Sequence, residues 1–221
     1  MKSTSPSILF LAAEADPLVK VGGLGDVAGS LPRAIRNLHA IDANLPDFDI
    51  RLALPYHQAI HRLSLPVEQI TRLVVPSQYG DFSVEVYLYN LEGLPIYLIQ
   101  HPIISEPSVL YSSDMGSDGL KYTLFSLAAM QLPEALSWNL DILHANDWHT
   151  AISCYQLSLL RNQSTHYKNT KSVLSLHNLP FMGAGTSPAL QAFHIPPSNL
   201  PDLPPWAQHM PLPLGLSAAD R

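Results

Sequence analysis

Lys20, Gly22 and Gly23 stand together in LVKVGGLGDVAG, Leu18 to Gly29. A lysine beside a glycine turn suits a phosphate-bearing ligand, because the glycines let the backbone approach closely and the ammonium supplies a point charge. The same run also contains G-x-G-x-x-A in Gly23, Gly25 and Ala28, the spacing of a dinucleotide-binding turn. In such a turn the first glycine follows a strand directly, so that the pyrophosphate rests on the N-terminus of the next helix. Here the apolar run ends near Ala13, and Glu14 to Val21 intervene. The acidic residue at the expected distance, Asp42, lies in IDANLPDFD with no clear strand end to hold it. The spacing therefore counts against a dinucleotide. What remains is a long loop at the carboxyl end of the first strand, holding a phosphate or merely turning the chain with Lys20 in solvent.

Two further stretches carry chemistry. ILHANDWHTA places His144, Asn146, Asp147 and His149 where a strand passes into a helix. Such a set suits a metal, a helix cap or a cleft wall. A helical zinc site uses an i, i+4 pair, which residues crossing from strand to helix do not present, so no metal is expected. Asp147 is a natural N-cap for the helix that follows. The third reading puts the polar ends of several strands around one cleft, where open α/β sheets bind ligands. VLSLHNLPFMGAG repeats the arrangement, an apolar strand running into His177 and Asn178 with Gly183 and Gly185 beyond.

The elements that must position these residues follow from periodicity. Apolar runs alternate with longer amphipathic segments, the pattern of βαβ units around a mostly parallel sheet. Strands are expected at Ser7–Ala13, Asp49–Pro55, Gln69–Val75, Phe82–Asn90, Pro95–Gln100, Asp141–Ala145 and Ser172–Leu176. The middle three lie close in sequence and alternate with period two, as in Val84, Val86 and Leu88, which predicts a hairpin or meander at a sheet edge. Helices are expected up to about Leu38, over Ser117–Ser137 with Asp118 in its first turn and a stop or kink at Pro133, and over Trp148–Arg161. Pro32 leaves the first helix with two starts: at Gly23 the proline is interior and costly, whereas with Ser30 as N-cap it falls in the tolerated first turn. Residues 180–213 are rich in proline and read as a long irregular excursion; SAADR after it reads as the approach to another strand.

Composition sets the limits. The chain has 221 residues, 47% of them hydrophobic, enough to bury a substantial core in one large domain or two small ones. A net charge of −6 without Lys/Arg clusters argues against nucleic acid or an anionic membrane as the main partner. The N-terminal Lys2 and the apolar run Ile8–Ala13 superficially match a leader, but the run is short and Glu14 and Asp16 follow at once, so it reads as a buried strand in a cytoplasmic protein. The single cysteine, Cys154, excludes an intrachain disulfide and reads as a buried structural thiol.

Taken together, these residues resemble the N-terminal half of bacterial glycogen synthases and plant starch synthases. The resemblance rests on E-x-x-P-x-x-K-x-G-G-L-x-D-V (Glu14, Pro17, Lys20, Gly22, Gly23, Leu24, Asp26, Val27) followed by LPRAI, on HANDWHT (His144 to Thr150) and on LHNL (Leu176 to Leu179). DIRLALPYH, VLYSSD and GLSAADR are weaker echoes, in the family's order. The resemblance implies a GT-B glycosyltransferase, two Rossmann-like domains closing over a cleft, that moves glucose from ADP-glucose to the non-reducing end of an α-1,4-glucan with retention and without a cofactor. It also implies that residues 1–221 are the acceptor-side domain, that the nucleotide-binding domain is absent here, and that this segment alone is inactive or nearly so. By the same resemblance Lys20 contacts the ADP phosphates, Gly22 and Gly23 let the loop approach the sugar nucleotide, and Asp26 shapes the site. His177 lies against the transferred glucose with Asn178 beside it, Asp147 and His149 line the cleft, and Tyr111 matches a tyrosine of the acceptor region. His177 and Asp147 are the catalytic candidates, the others substrate-binding ones. An Arg/Lys pair, a glutamate and most of the adenine pocket belong to the family's second domain.

The sequence departs from the family where a lysine usually precedes the final Gly-Leu, reading MPLPLGLSAAD with no Lys or Arg between Lys171 and Arg221. Two alternatives stay open: a related retaining transferase with another nucleotide-sugar donor, and a non-catalytic glucan- or nucleotide-binding module. A stop codon directly after Arg221 favours the module, and an open frame continuing into a second domain favours the enzyme.

Overall fold

The computed structural model describes residues 5–221; Lys2 of the N-terminal pattern lies outside them. Seven strands form one sheet: β1 (Ser7–Leu11), β2 (Asp49–Pro55), β3 (Glu68–Val75), β4 (Phe82–Leu91), β5 (Leu94–Gln100), β6 (Ile142–Asn146) and β7 (Lys171–Ser175). The helices, in chain order, are α1 (Gly23–Arg36), α2 (Leu38–Ile41), α3 (Gln58–His61), α4 (Pro102–Ser105), α5 (Met115–Ala129), α6 (Leu132–Ala135), α7 (Asp147–Leu160), α8 (Ser187–Ala192) and α9 (Pro211–Ala218), with a 3-10 turn at Pro205–Ala207. Among the described residues no helix is long and apolar enough to cross a membrane.

Strand order is β3-β4-β5-β2-β1-β6-β7. The five strands from β5 to β7 run parallel, and β4 and β3 extend the edge as the expected antiparallel meander. The chain leaves β1 towards β2 on one side and later returns to place β6 on the other. Right-handed crossovers then set α1 on one face and α5 and α7 on the opposite face. The carboxyl ends of β1 and β6 therefore border the switch point at which open sheets form a ligand crevice. Because both faces are covered, β1 (SILFL) is buried along its whole length and apolar from Ile8 to Leu11.

Helix α1 begins at Gly23, so Pro32 is interior and the alternative start at Ser30 is overturned. Proline removes the N–H that would bond the carbonyl of Ala28. Nearby backbone is supported by side chains instead: Arg33 Nε donates to Gly29 O at 2.7 Å and Ser30 Oγ to Asp26 O at 2.6 Å. The first half of α1 lies directly against the loop after β1. Asp16 N donates to Gly25 O at 2.9 Å, and a Cβ on Gly29 would stand 2.3 Å from Asp16 O. A side chain there has no room, which fixes that glycine by close approach.

Helix α5 starts earlier than expected. Asp114 caps it by accepting from Gly116 N at 2.9 Å, while Asp118, expected to serve that turn, is buried in an ion pair with Lys121 at 2.7 Å. The helix ends at Ala129, and Pro133 sits in the first turn of the separate α6. Cys154 is buried on α7, where burial pushes its thiol up to about 12, an inert structural position. Between residues 180 and 213 the chain carries α8, the 3-10 turn and the start of α9, and Leu212 N returns to Met182 O at 3.3 Å. At the end of the chain Arg221 O accepts from Leu174 N at 2.9 Å, along the outer edge of β7.

Candidate active site

A cavity of about 350 Å³ opens at the switch point. Its walls come from four segments: the β1–α1 loop, the start of α5 with the residues before it, the β6–α7 junction and the loop after β7. Of the residues singled out in the sequence, Gly22, Gly23, Tyr111, Asp147, His149, His177 and Asn178 all line it. Lys20 and Asp26 do not; they pair with each other at 2.5 Å, both substantially exposed. Glu14, Ser112, Met115, Asp118, Trp148 and Phe181 are wall residues that residue type and spacing did not single out as ligand contacts.

Each carboxylate in the wall braces a loop. Glu14 is buried and accepts from the backbone N–H groups of Val21 and Gly22, which folds the glycine loop back over the end of β1. Asp118 accepts from Ser112 N at 2.8 Å while paired with Lys121. Asp147 Oδ1 accepts from His177 N at 2.7 Å and from Asn178 N at 3.2 Å, tying the loop after β7 to the end of β6. This corrects the N-cap reading: Asn146 occupies the cap position without a side-chain cap bond, and Asp147 has φ +56. A non-glycine residue in the left-handed region costs on the order of 1 kcal/mol or more, and the two amide bonds to His177 and Asn178 offset it.

The glycine loop gives the cavity its positive end. Gly22 precedes α1, whose first N–H groups, on Gly23 and Leu24, have no intrahelical partner. Both residues line the cavity, and a helix N-terminus favours an anion. Nothing lies within 4 Å of a Cβ placed on Gly23, so its backbone is open to a ligand.

The floor is aromatic. The His149 ring lies against Trp148, Tyr122 and Tyr111 at centroid distances of 4.3, 4.6 and 4.8 Å. Burial, with Lys121 and His57 nearby, pushes His149 down to about 3, so it is a neutral imidazole at physiological pH. Beneath it Lys121 Nζ and Tyr122 Oη both donate to Leu110 O, at 2.5 and 2.7 Å. Burial raises the Tyr111 and Tyr122 phenols far above their ordinary range, so both are neutral donors. His144, also singled out in the sequence, does not line the cavity: it packs on Phe10 with its Nε2 2.8 Å from Ser175 Oγ, and burial pushes it down to about 4.

A cavity with a helix N-terminus on one side, neutral hydrogen-bonding rings on its floor and amide-anchored loops around it suits a ligand with both anionic and polyhydroxyl parts.

A family model described as the starch synthase catalytic domain matches residues 7–221. The glycogen synthase of Vibrio parahaemolyticus serotype O3:K6 is 32% identical over 228 residues, covering 100% of this chain and 44% of that protein. The glycogen synthase of Aeromonas salmonicida is 33% identical over 181 residues, covering 80% of this chain and 35% of that protein. Among solved structures, the catalytic domain of starch synthase IV from Arabidopsis thaliana bound to ADP and acarbose has the same fold, with a TM-score of 0.72 and 23% identity over 86% of this chain and 37% of that chain. The chain thus spans less than half the length of the curated relatives it matches. With the family model matching from the first residue of β1 to Arg221, the chain belongs to the starch synthase catalytic domain family.

Proposed function

We propose that this chain is the acceptor-side, N-terminal domain of a cytoplasmic glucosyltransferase that moves glucose from ADP-glucose to the non-reducing end of an α-1,4-glucan with retention. The nucleotide-binding domain of the same enzyme closes over the cavity. The observation that carries the reading is the convergence of three sequence-distant loops, at Gly22–Gly23, Asp147–His149 and His177–Asn178, on one cavity at the sheet's switch point. The relatives named glycogen synthase and the likeness to a starch synthase bound to ADP and acarbose supply the donor and acceptor classes.

In the reaction, the bond from the glucosyl C1 to the phosphate oxygen breaks. C1 then bonds to an acceptor hydroxyl oxygen on the same face, and the hydroxyl proton leaves with ADP. Negative charge grows on the phosphate and oxocarbenium character on the sugar, so fixed dipoles and cations at the phosphate stabilise the transition state. The free N–H groups of Gly23 and Leu24 and the ammonium of Lys20, exchanging Asp26 for phosphate, fill that role. His177 and Asn178 face the transferred sugar, His149 and Tyr111 offer neutral hydrogen-bonding edges to sugar hydroxyls, and Asp147 positions the His177 loop. The remaining cations and the adenine pocket come from the second domain, and this chain by itself is expected to transfer no glucose.

The test is transfer by the protein encoded by the complete reading frame, with ADP-glucose or UDP-glucose as donor and glycogen as acceptor. Glucose incorporation with release of ADP, faster than from UDP-glucose, is expected. No incorporation from either donor contradicts the reading, and preference for UDP-glucose overturns the donor.

A further inference from the structure

Asn146 ends β6, paired with Ser175 of β7, and its side chain is fully buried and bonded at both ends. Nδ2 donates to Leu11 O, the last carbonyl of β1, at 2.9 Å, and Oδ1 faces His177 Nε2 at 3.0 Å. Its backbone is fixed as well, because Thr150 Oγ1 accepts from Asn146 N at 2.6 Å and donates to Asn146 O at 2.8 Å. The amide therefore bridges β1 to the loop after β7 across the switch point.

The chemistry of the bridge leaves one arrangement of protons. Leu11 O is an acceptor only, so the amide end facing it must be the NH₂; a flipped amide would set two acceptors against each other in a buried space. Oδ1 is then fixed on the His177 side, where it accepts and cannot donate. Nε2 must carry hydrogen, and in the neutral ring Nδ1 is left with its lone pair. Nδ1 has no hydrogen-bond partner among the described residues, and His177 lines the cavity.

We propose that Asn146 is a positioning residue that holds His177 as its Nε2–H tautomer, so that the one ring nitrogen open to a ligand accepts a hydrogen bond. Asp147, next in sequence, holds the backbone of the same histidine through its N–H. Two adjacent residues at the end of β6 thus fix the position and the proton of a side chain in another loop. A ligand hydroxyl meeting Nδ1 must donate, and carbonyl or phosphate oxygens are refused there. That the hydroxyl belongs to the transferred sugar rests on the proposed function; the tautomer is a property of the chain alone.

The experiment reads ring-nitrogen tautomers by long-range proton–nitrogen NMR on the ¹⁵N-histidine-labelled chain in alkaline buffer, without ligand. His57, whose Nε2 donates to Ala13 O at 2.9 Å, is the internal standard for an intact fold. Wild-type His177 is expected as the Nε2–H form. Asn146→Asp keeps an acceptor facing Nε2 and should keep that form, whereas Asn146→Leu should shift at least a third of His177 to Nδ1–H with His57 unchanged. A wild-type His177 in the Nδ1–H form overturns the proposal whatever the variants do. So does an unaltered tautomer in folded Asn146→Leu, or a switch to Nδ1–H in Asn146→Asp; should Asn146→Leu not fold, the wild type and Asn146→Asp decide. The Nε2–H form together with a complete enzyme that transfers no glucose would refute the functional reading and leave this assignment standing.

Discussion

Asp147 Oδ1 lies 2.7 Å from the backbone nitrogen of His177, 30 positions further along the chain, and this bond joins the ends of β6 and β7. The carboxylate reaches it from a backbone held at φ +56. Asp147→Ala removes the acceptor and leaves two amides without their partner. It is expected to lower stability by roughly 1–3 kcal/mol in urea unfolding. Asp147→Asn keeps one oxygen and a residue type that tolerates the left-handed region, so its loss should be less than half as large. Equal losses would show that the bond to His177 contributes nothing.

Glu14 makes the corresponding brace on the glycine loop. Glu14→Ala removes the oxygen to which Val21 and Gly22 both donate and should destabilise by about 1–3 kcal/mol. Hydrogen exchange should reveal loosening confined to residues 20–25. Protection lost evenly across the sheet would instead make Glu14 a general core residue.

Three histidines make the fold sensitive to acid. Burial sets His57 and His144 at about 4 and His149 at about 3, against 6.5 for an exposed ring. The unfolded chain therefore binds these protons first on acidification. The stability they contribute is complete above about pH 6.5 and is lost as the pH falls from there towards 3–4. His57→Gln, which keeps a donor for Ala13 O, should remove on the order of 3 kcal/mol of that acid dependence. An unchanged slope of urea midpoint against pH in the variant would contradict neutral burial of His57.

Lys20 and Asp26 lie on the rim, where an exposed ion pair contributes little to folding. Lys20→Ala should leave the unfolding midpoint unchanged and lower kcat/KM for ADP-glucose at least tenfold in the complete enzyme, as expected for a phosphate contact. Unchanged kinetics would remove Lys20 from the site.

The sheet was legible because buried parallel strands read as unbroken apolar runs, and every expected strand is present with ends shifted by a residue or two. The glycine loop, HANDWHT and LHNL could be brought together on paper because ligand-contacting residues collect at strand carboxyl ends. What stayed hidden depended on contacts between distant segments. The left-handed Asp147 looked like a cap because a cap needs only its own helix, whereas its partners belong to the His177 loop. Pro32 argued for a late start to α1, and only the packing of Gly25 and Gly29 against Asp16 makes the early start favourable. Glu14 opens the glycine-loop motif and Asn146 belongs to HANDWHT, but residue type and spacing give neither its role, since a buried brace and a buried bridge are defined by what they meet.

We propose that the cavity sets His177 against the sugar being transferred and the glycine loop against the phosphates. The most direct measurement is single-turnover glucose transfer by the complete enzyme carrying His177→Ala, beside the Kd of ADP for the same variant. The transfer rate should fall at least a hundredfold with ADP affinity within about threefold of wild type, because a sugar contact acts in the transition state. An equal loss of rate and ADP affinity, or no loss of either, would contradict it.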